Sequence, residues 1–318
     1  MRGWPVAAGL AAGTALDALL ADPRRGHPVA AFGRAAGAIE TRIYAGTKAR
    51  GGLHTAICVL GVAAPAAFAH HLSRRRPVAR LAATAAASWS VLGAASLANE
   101  AERLARALES GDVAAARARL PSLCGRDPAR LDAADLARAA IESVAENTCD
   151  AVVAPLLWGG TAGLTGLIAY RAVNTLDAMV GHRSPRYRDF GWAAARLDDV
   201  ANAGPARLTA LLAAACAPVA GGHPAAALRA TLAFGARHPS PNAGRCEAAF
   251  AGALGVQLGG TNVYEGVAED RPRIGAGRAP CAADIRRAVR LSRAVTWAAA
   301  AVAVAVAATE PRASSAGR

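Results

Sequence analysis

Carboxylates, carboxamides and arginines crowd into residues 142–207, beside segments apolar enough to lie in hydrocarbon. Glu142 and Glu146 are four apart, with Asn147 and Asp150 just beyond, and a helix would set the two glutamates on one face. Like charges so placed favour a bound cation or raise one pKa, and either suits metal or proton chemistry. An acidic face among arginines would show the same spacing. Farther on come Arg196, Asp198, Asp199, Asn202 and Arg207. On a helix Asp198 and Asn202 would share a face, with Asp199 turned about 100° away. Adjacent aspartates with an amide one turn on are hard oxygen ligands suited to Mg2+, although Arg196 and Asp199 could instead pair at the surface. Asn174-Thr175-Leu176-Asp177 has the form of a helix start, Asn at N-cap and Asp at N3, for a helix ending at Gly181. Such a start also offers backbone N–H groups to a phosphate or oxyanion. Polar groups at this density are costly beside hydrocarbon, so they mark a reactive face.

Two outlying motifs carry similar groups. Asp22-Pro23 with His27-Pro28-Val29 reads as a rigid polar turn in which His27 could be a ligand, a base or a structural turn residue. His238-Pro239-Ser240-Pro241-Asn242-Ala243-Gly244 reads as a turn in which Ser240 caps a helix with Pro241 at its first position and Glu247 upon it.

The elements that must position these residues are mostly apolar. Hydrophobic residues make up 53% of the 318, with a mean hydropathy of +0.23. Val6–Leu20, Leu53–Leu72, Val78–Ala98 and Ala294–Thr309 are windows that could span or enter a bilayer, with Ala151–Tyr170 and Leu208–Gly221 shorter or interrupted. Asp17 inside the first window, and Ala21-Asp22-Pro23 where a cleavage site should lie, argue for a retained helix rather than a signal peptide. Helices are also expected from Ala98 to Glu109, after an Asp112 cap up to Pro121, and from Asp132 into Glu142 and Glu146. The expectation is an all-α polytopic membrane bundle with broken or re-entrant helices and cytoplasmic helical loops. Residues 1–310 would form a single membrane domain, with a disordered tail over 311–318.

Net charge is +13, almost all arginine, and Lys48 is the only lysine. Aromatics are only 4% and no basic stretch is interleaved with them, which argues against nucleic acid as a partner. Basic loops flanking membrane helices account for the charge. No GxxxxGK[ST] occurs, so ATP would have to be held without a P-loop. The six cysteines form no CxxC pair, which speaks against zinc, iron–sulfur centres and a disulfide framework.

Breakers decide the topology. Ala151–Tyr170 contains Pro155, Gly159-Gly160, Gly163 and Gly166, which suits a re-entrant or broken helix better than a straight span. The polar motifs before and after it then fall on one side, with most of the arginines. That side is expected to be the cytoplasmic face of the cell membrane; the Arg74-Arg75-Arg76 turn falls opposite and runs against the rule. On that reading Glu146–Asp150, Asn174–Asp177, Asp198–Asn202 and Ser240–Glu247 share one polar cavity.

Taken together and in order, these motifs resemble the CobD/CbiB family of cobalamin biosynthesis, the adenosylcobinamide-phosphate synthases. The matching text is Ala21-Asp22-Pro23…His27-Pro28-Val29, Glu142-Ser143…Glu146-Asn147-Thr148…Asp150, and Asn174-Thr175-Leu176-Asp177…Gly181. It continues with Arg196-Leu197-Asp198-Asp199…Asn202…Arg207, Ser240-Pro241-Asn242-Ala243-Gly244…Glu247 and Gly255-Val256-Gln257-Leu258-Gly259-Gly260. The chain departs from the family's commonest pattern at Ala21, Ala178, His182 and Arg245-Cys246.

The resemblance implies an ATP-dependent amide ligase joining adenosylcobyric acid to (R)-1-aminopropan-2-ol or its O-phosphate, with ATP and Mg2+ consumed or required and the corrinoid as substrate. Glu146, Asp177, Asp198 and Asp199 are then candidate catalytic groups, Asp198 and Asp199 also as metal ligands. Asp22, His27, Glu142, Asn147, Asp150, Asn174, Arg196, Asn202, Arg207, Ser240, Asn242 and Glu247 are candidate substrate-binding groups. Membrane lipid and other late enzymes of the pathway are candidate partners. A non-catalytic membrane regulator of the AmpE-like kind, or an ion-coupled transporter, is the alternative that intramembrane acids and broken helices would also suit.

Overall fold

Helix-forming runs separated by Pro, Gly and capping residues account for nearly all of the chain. The computed structural model describes residues 3–22, 26–182, 184–264 and 267–309, so Pro23 and the tail expected over 311–318 lie outside the described residues. In chain order the first helices are α1 (Trp4–Leu20), α2 (Pro28–Ile43), α3 (Lys48–Leu72), α4 (Pro77–Val91), α5 (Ala94–Glu109) and α6 (Val113–Arg119). There follow α7 (Ala133–Thr148), α8 (Ala154–Val180), α9 (Trp192–Ala201), α10 (Ala203–Cys216), α11 (Pro224–Phe234) and α12 (Ala243–Leu254). A hairpin of β1 (Leu258–Tyr264) and β2 (Val267–Ile274) precedes α13 (Ala282–Ala308).

Five helical stretches are long and apolar enough to cross a membrane: Lys48–Arg75, Pro77–Glu109, Ala133–Val180, Ala203–Ala220 and Ala282–Ala308. Large apolar side chains on them face outward, among them Leu60, Phe68 and Leu72 on α3 and Trp297 on α13, as lipid contact requires. This is an all-α polytopic membrane protein with one small hairpin. The expected span Val78–Ala98 falls within the stretch Pro77–Glu109, which is interrupted at Leu92 (φ −74°, ψ 148°), where α4 ends before Gly93. Gly93 is a poor helix former at that break.

The chain divides into two compact units, each made of separate segments: Met1–Gly93, Ala154–Ala201 and Ala299–Arg318 in the first; Ala94–Val153 and Asn202–Ala298 in the second.

In the first unit α8 is broken as the glycines suggest. Gly163 sits at φ 60°, ψ −144°, a conformation only glycine adopts freely. The chain turns so sharply there that Leu167 lies against Gly159, and a Cβ on Gly166 would stand 2.1 Å from the Trp158 carbonyl oxygen. The expected broken helix is therefore present; the break falls at Gly163. The second half of α8 packs with α2, α3 and α9 around Ala36, Cys58, Leu176, Val180, Phe190 and Ala194. Phe190 is wholly buried and lies among Tyr44, His54 and Tyr187. Gly51 lets the chain pass close, since a Cβ there would stand 1.7 Å from the Phe190 carbonyl oxygen.

In the second unit Asp112 and Asp132 cap α6 and α7 through the N–H groups of Ala115 and Asp135, as their spacing predicts. α7 passes into a π-helical turn over Cys149–Val153. α10, α11 and α12 pack together, and α12 also packs on α7 and the hairpin. The hairpin is an element the sequence reading missed. Its register slips between Leu258 and Gly260, where Gly259 and Gly260 take φ 78° and 102°.

Candidate active site

Within the first unit the polar residues meet where α8 and α9 pack. The Asn174 side-chain N–H donates to Asp198 Oδ1 at 3.4 Å, and Arg171 donates to Asn174 Oδ1 at 3.4 Å. Arg171, three residues before Asn174, was legible as an i, i+3 neighbour and was overlooked. Asp177 folds over Gly181: a Cβ at 181 would stand 2.0 Å from Asp177 Oδ1, so only glycine leaves room for that carboxylate. Asp198 is 9% exposed, while its neighbour Asp199 pairs at 3.4 Å with Arg196, whose side chain is mostly in solvent. Arg196 and Asp199 thus meet as the i, i+3 pair that their spacing allows. His27 and Asp22 stand 3.9 Å apart, and His27 Nδ1 accepts from the Val29 N–H as the cap of α2.

Two local expectations are corrected. Asn174 does not start a helix; it lies inside α8, where backbone N–H groups are taken up within the helix. The largely apolar run Leu164–Tyr170 carries the helix through a capping-like sequence, so no helix terminus is available there for an anion. Nor do Asp198 and Asn202 share a helix. α9 ends at Ala201 and Asn202 takes the N-cap position of α10, because Pro205 clashes with the carbonyl of Ala201 and has no N–H to offer it.

Within the second unit Glu142 is buried and closely held. Arg126 reaches its Oε2 at 2.5 Å, Arg138 lies 3.6 Å from Oε1, and the Gly259 N–H donates to Oε1 at 2.7 Å. Arg138 also donates to Asn262 Oδ1 at 2.9 Å and to the Thr261 carbonyl, tying α7 to the hairpin. Arg138 sits four residues before Glu142, a spacing that could have revealed the pair; Arg126 and Asn262 had no local signal. Glu146 is half-buried, and Asn147 donates back to Ser143 within α7. Asp150 lies in the π-helical turn. Asn202 Oδ1 lies 3.8 Å from the Cys149 thiol, and Arg207 donates to the Ala203 carbonyl on its own helix.

The Ser240–Glu247 segment belongs to this unit too. α12 begins at Ala243, two residues later than expected, and Ser240 Oγ accepts from the N–H groups of Asn242 and Ala243. Glu247 is almost fully buried with His238 Nε2 at 3.7 Å. Burial pushes the Glu247 carboxyl well above the usual range, and the charges of Glu142 and Glu146 push the same way. His238, which the sequence reading left as a turn residue, is pulled below the usual histidine value by burial and by Arg271.

Of the four segments expected to line one cavity (Glu146–Asp150, Asn174–Asp177, Asp198–Asn202 and Ser240–Glu247), Asn174 meets Asp198 in the first unit, and Glu146 lies within electrostatic reach of Glu247 in the second. Among the described residues no three His, Cys, Asp or Glu side chains gather to hold a metal ion.

A polytopic helical membrane protein with paired acids and amides at its helix junctions is the class these features define. The CobD/Cbib protein family model matches residues 10–292. The chain is 54% identical over 299 residues to the cobalamin biosynthesis protein CobD of Mycobacterium tuberculosis, covering 94% of this chain and 95% of the relative. It is 46% identical to the protein of that name from Geobacter metallireducens, covering 82% and 83%, and 42% identical to that from Chromobacterium violaceum, covering 92% and 94%. No solved structure matches. The chain belongs to the CobD/Cbib protein family.

Proposed function

We propose that this protein acts in cobalamin biosynthesis as an ATP-dependent amide ligase, joining adenosylcobyric acid to (R)-1-aminopropan-2-ol or its O-phosphate to give adenosylcobinamide or its phosphate. The observation that carries the reading is the match to relatives named for this pathway over nearly the whole of both chains. The residues suit the demands of the chemistry. A carboxylate is a poor acyl donor, so activation as an acyl phosphate is the expected first step. Mg2+ would enter with the nucleotide and spread its phosphate charge. Asp198, Asp199 and the Asn174 carboxamide are the hard oxygen groups that would hold it. Such an ion keeps few protein ligands when phosphates and water supply the rest, which fits a site with two carboxylates. Arg196, largely solvent-exposed, would meet the phosphates.

In this reading the protein lies in the cell membrane with its arginine-rich connections in the cytoplasm, where ATP is available. Lipid surrounds the spans, and late enzymes of the pathway are its protein partners. The test is conversion of adenosylcobyric acid by the purified protein in detergent. Amide product should require ATP, Mg2+ and one of the two amines. Failure to form it with either amine would overturn the ligase reading.

A further inference from the structure

We propose that α9 (Trp192–Ala201) is an interfacial helix whose outer face lies in the headgroup boundary of the lipid bilayer. This placement is independent of the ligase reading.

The distribution of side chains around α9 carries the inference. A helix that faces water turns its apolar residues inward and its charges outward. α9 does the reverse. Trp192, Leu197 and Val200 are 46%, 41% and 73% exposed, whereas Asp198 and Ala194 are buried. At about 100° per residue, Trp192, Val200 and Leu197 fall within one arc of about 140°, and Asp198 and Ala194 lie on the far side. Bulky apolar groups turned out and a carboxylate turned in suit an apolar neighbour rather than water. Arg196 falls inside the same arc without breaking it. Its guanidinium bends to Asp199, at the edge of the arc beyond Trp192, as a long cation leaves an apolar surface for a polar one. That edge is the side that meets water.

The neighbours of α9 identify the occupant as lipid. α9 packs on α3, the helix of a stretch that begins at Lys48 and is long and apolar enough to cross a membrane. Leu53, Ile57 and Leu60 of α3 are themselves exposed. The Lys48 ammonium lies 5.3 Å from the centroid of the Trp192 ring. A tryptophan beside a cation at the end of a span is the arrangement that anchors proteins at the membrane–water boundary. The first turn of α9 is therefore level with the headgroups.

The far end of α9 is closed in the same manner. Pro205 has no N–H to offer the Ala201 carbonyl, which instead accepts from the Trp158 indole N–H at 3.0 Å, while the Trp158 ring is exposed. Water would serve this carbonyl at an open surface. An indole serves it where the surroundings are apolar, with its ring in the boundary and its one donor turned to the protein. Asp198, on the inner face of α9 beside Asn174, is then held near headgroup level rather than at the bilayer midplane, where the sites of coupled transporters lie.

The experiment uses the full-length protein in phosphatidylcholine nanodiscs and reads tryptophan fluorescence. The emission of wild type less that of Trp192→Phe isolates one of the five tryptophans. That difference should fall by about half or more when the lipid carries bromine on its acyl chains just below the headgroups. Should Trp192→Phe fail to fold, the emission added by Val200→Trp reads the same face, and brominated lipid should quench it as well. No quenching by brominated lipid would overturn the placement, and aqueous iodide then tells what covers the face instead. Quenching by iodide would put the outer face of α9 in water. Protection from both quenchers would put a second copy of the chain or another protein there.

Discussion

The two units handle buried polarity in opposite ways. In the second, Glu142 is 6% exposed and answered by two arginines and a backbone N–H. In the first, Asp198 meets the neutral carboxamide of Asn174 at 3.4 Å, and its neighbour Asp199 pairs with an arginine that is mostly in solvent. A charge enclosed by counter-charges is costly to disturb, because removing one partner strands the other. A carboxylate that meets an amide and a solvated arginine is placed differently from one enclosed by buried arginines. The contrast separates residues that keep the fold from residues that can do chemistry, although both sets look alike as sequence.

The largest effect should come from the enclosed cluster. Glu142→Ala leaves Arg126 buried and Arg138 without its i+4 partner, and should cost about 3–5 kcal/mol. Thermal unfolding in detergent, followed by loss of helical signal, measures it. Wild-type stability in this variant would show that the cluster is solvated and erase the contrast between the units. Asp198→Asn should do the reverse. Turnover should fall by about 100-fold or more while the unfolding temperature holds, since the amide is isosteric and its oxygen still accepts from Asn174. Normal kcat and normal Mg2+ dependence would move Asp198 out of the machinery.

Much of this was legible in the sequence, and the misses have physical causes. The Asp112 and Asp132 caps, the breaker-rich stretch ending in the turn at Gly163 and the Glu142/Glu146 face follow from local rules, and they are found as read. Asn174 misled because a capping sequence inside a strongly apolar run is overridden by the run. Asn202 misled because Pro205, three residues later, ends the preceding helix at Ala201. Arg126, Asn262 and His238 were invisible because their partners lie 16, 124 and 9 residues away, and nothing in the local spacing announces such contacts.

A smaller loss is expected at the turn of α8. Gly163→Ala places a Cβ at a positive φ and 2.7 Å from the His70 ring, and should cost about 1–3 kcal/mol with the activity of the folded fraction retained. An equally stable variant would mean that the two halves of α8 do not depend on this turn.

The pH dependence of stability gives a more delicate comparison. Glu247 has its folded pKa raised above the ordinary carboxyl value, so the folded state holds that proton after the unfolded chain has released it. Stability from this group is therefore greatest below the unfolded pKa and declines as pH rises towards the folded one. Glu247→Gln should flatten that decline and leave the protein more stable than wild type at alkaline pH. His238 works in the other direction, its lowered pKa making stability rise with pH up through the ordinary histidine range. A wild-type profile unchanged by Glu247→Gln would show the carboxyl to be solvated.

The smallest effect on stability should be at Arg196, where the contrast is sharpest. Its side chain is 65% exposed and its pairing with Asp199 is an i, i+3 contact at 3.4 Å. Exposed pairs of this kind contribute about 0–1 kcal/mol, so Arg196→Ala should leave unfolding nearly unchanged. An arginine that serves the fold so little is free to serve a ligand. If Arg196 meets nucleotide phosphates, Arg196→Ala should raise KM for ATP and leave KM for the amine alone, with kcat falling less than in Asp198→Asn. Lysine at this position should restore only part of the loss, because an ammonium keeps the charge and loses the two-pronged geometry. Unchanged kinetics would leave Arg196 as a solvated partner of Asp199 and narrow the candidate chemistry of the first unit to Asn174, Asp198 and the carboxylate beside it.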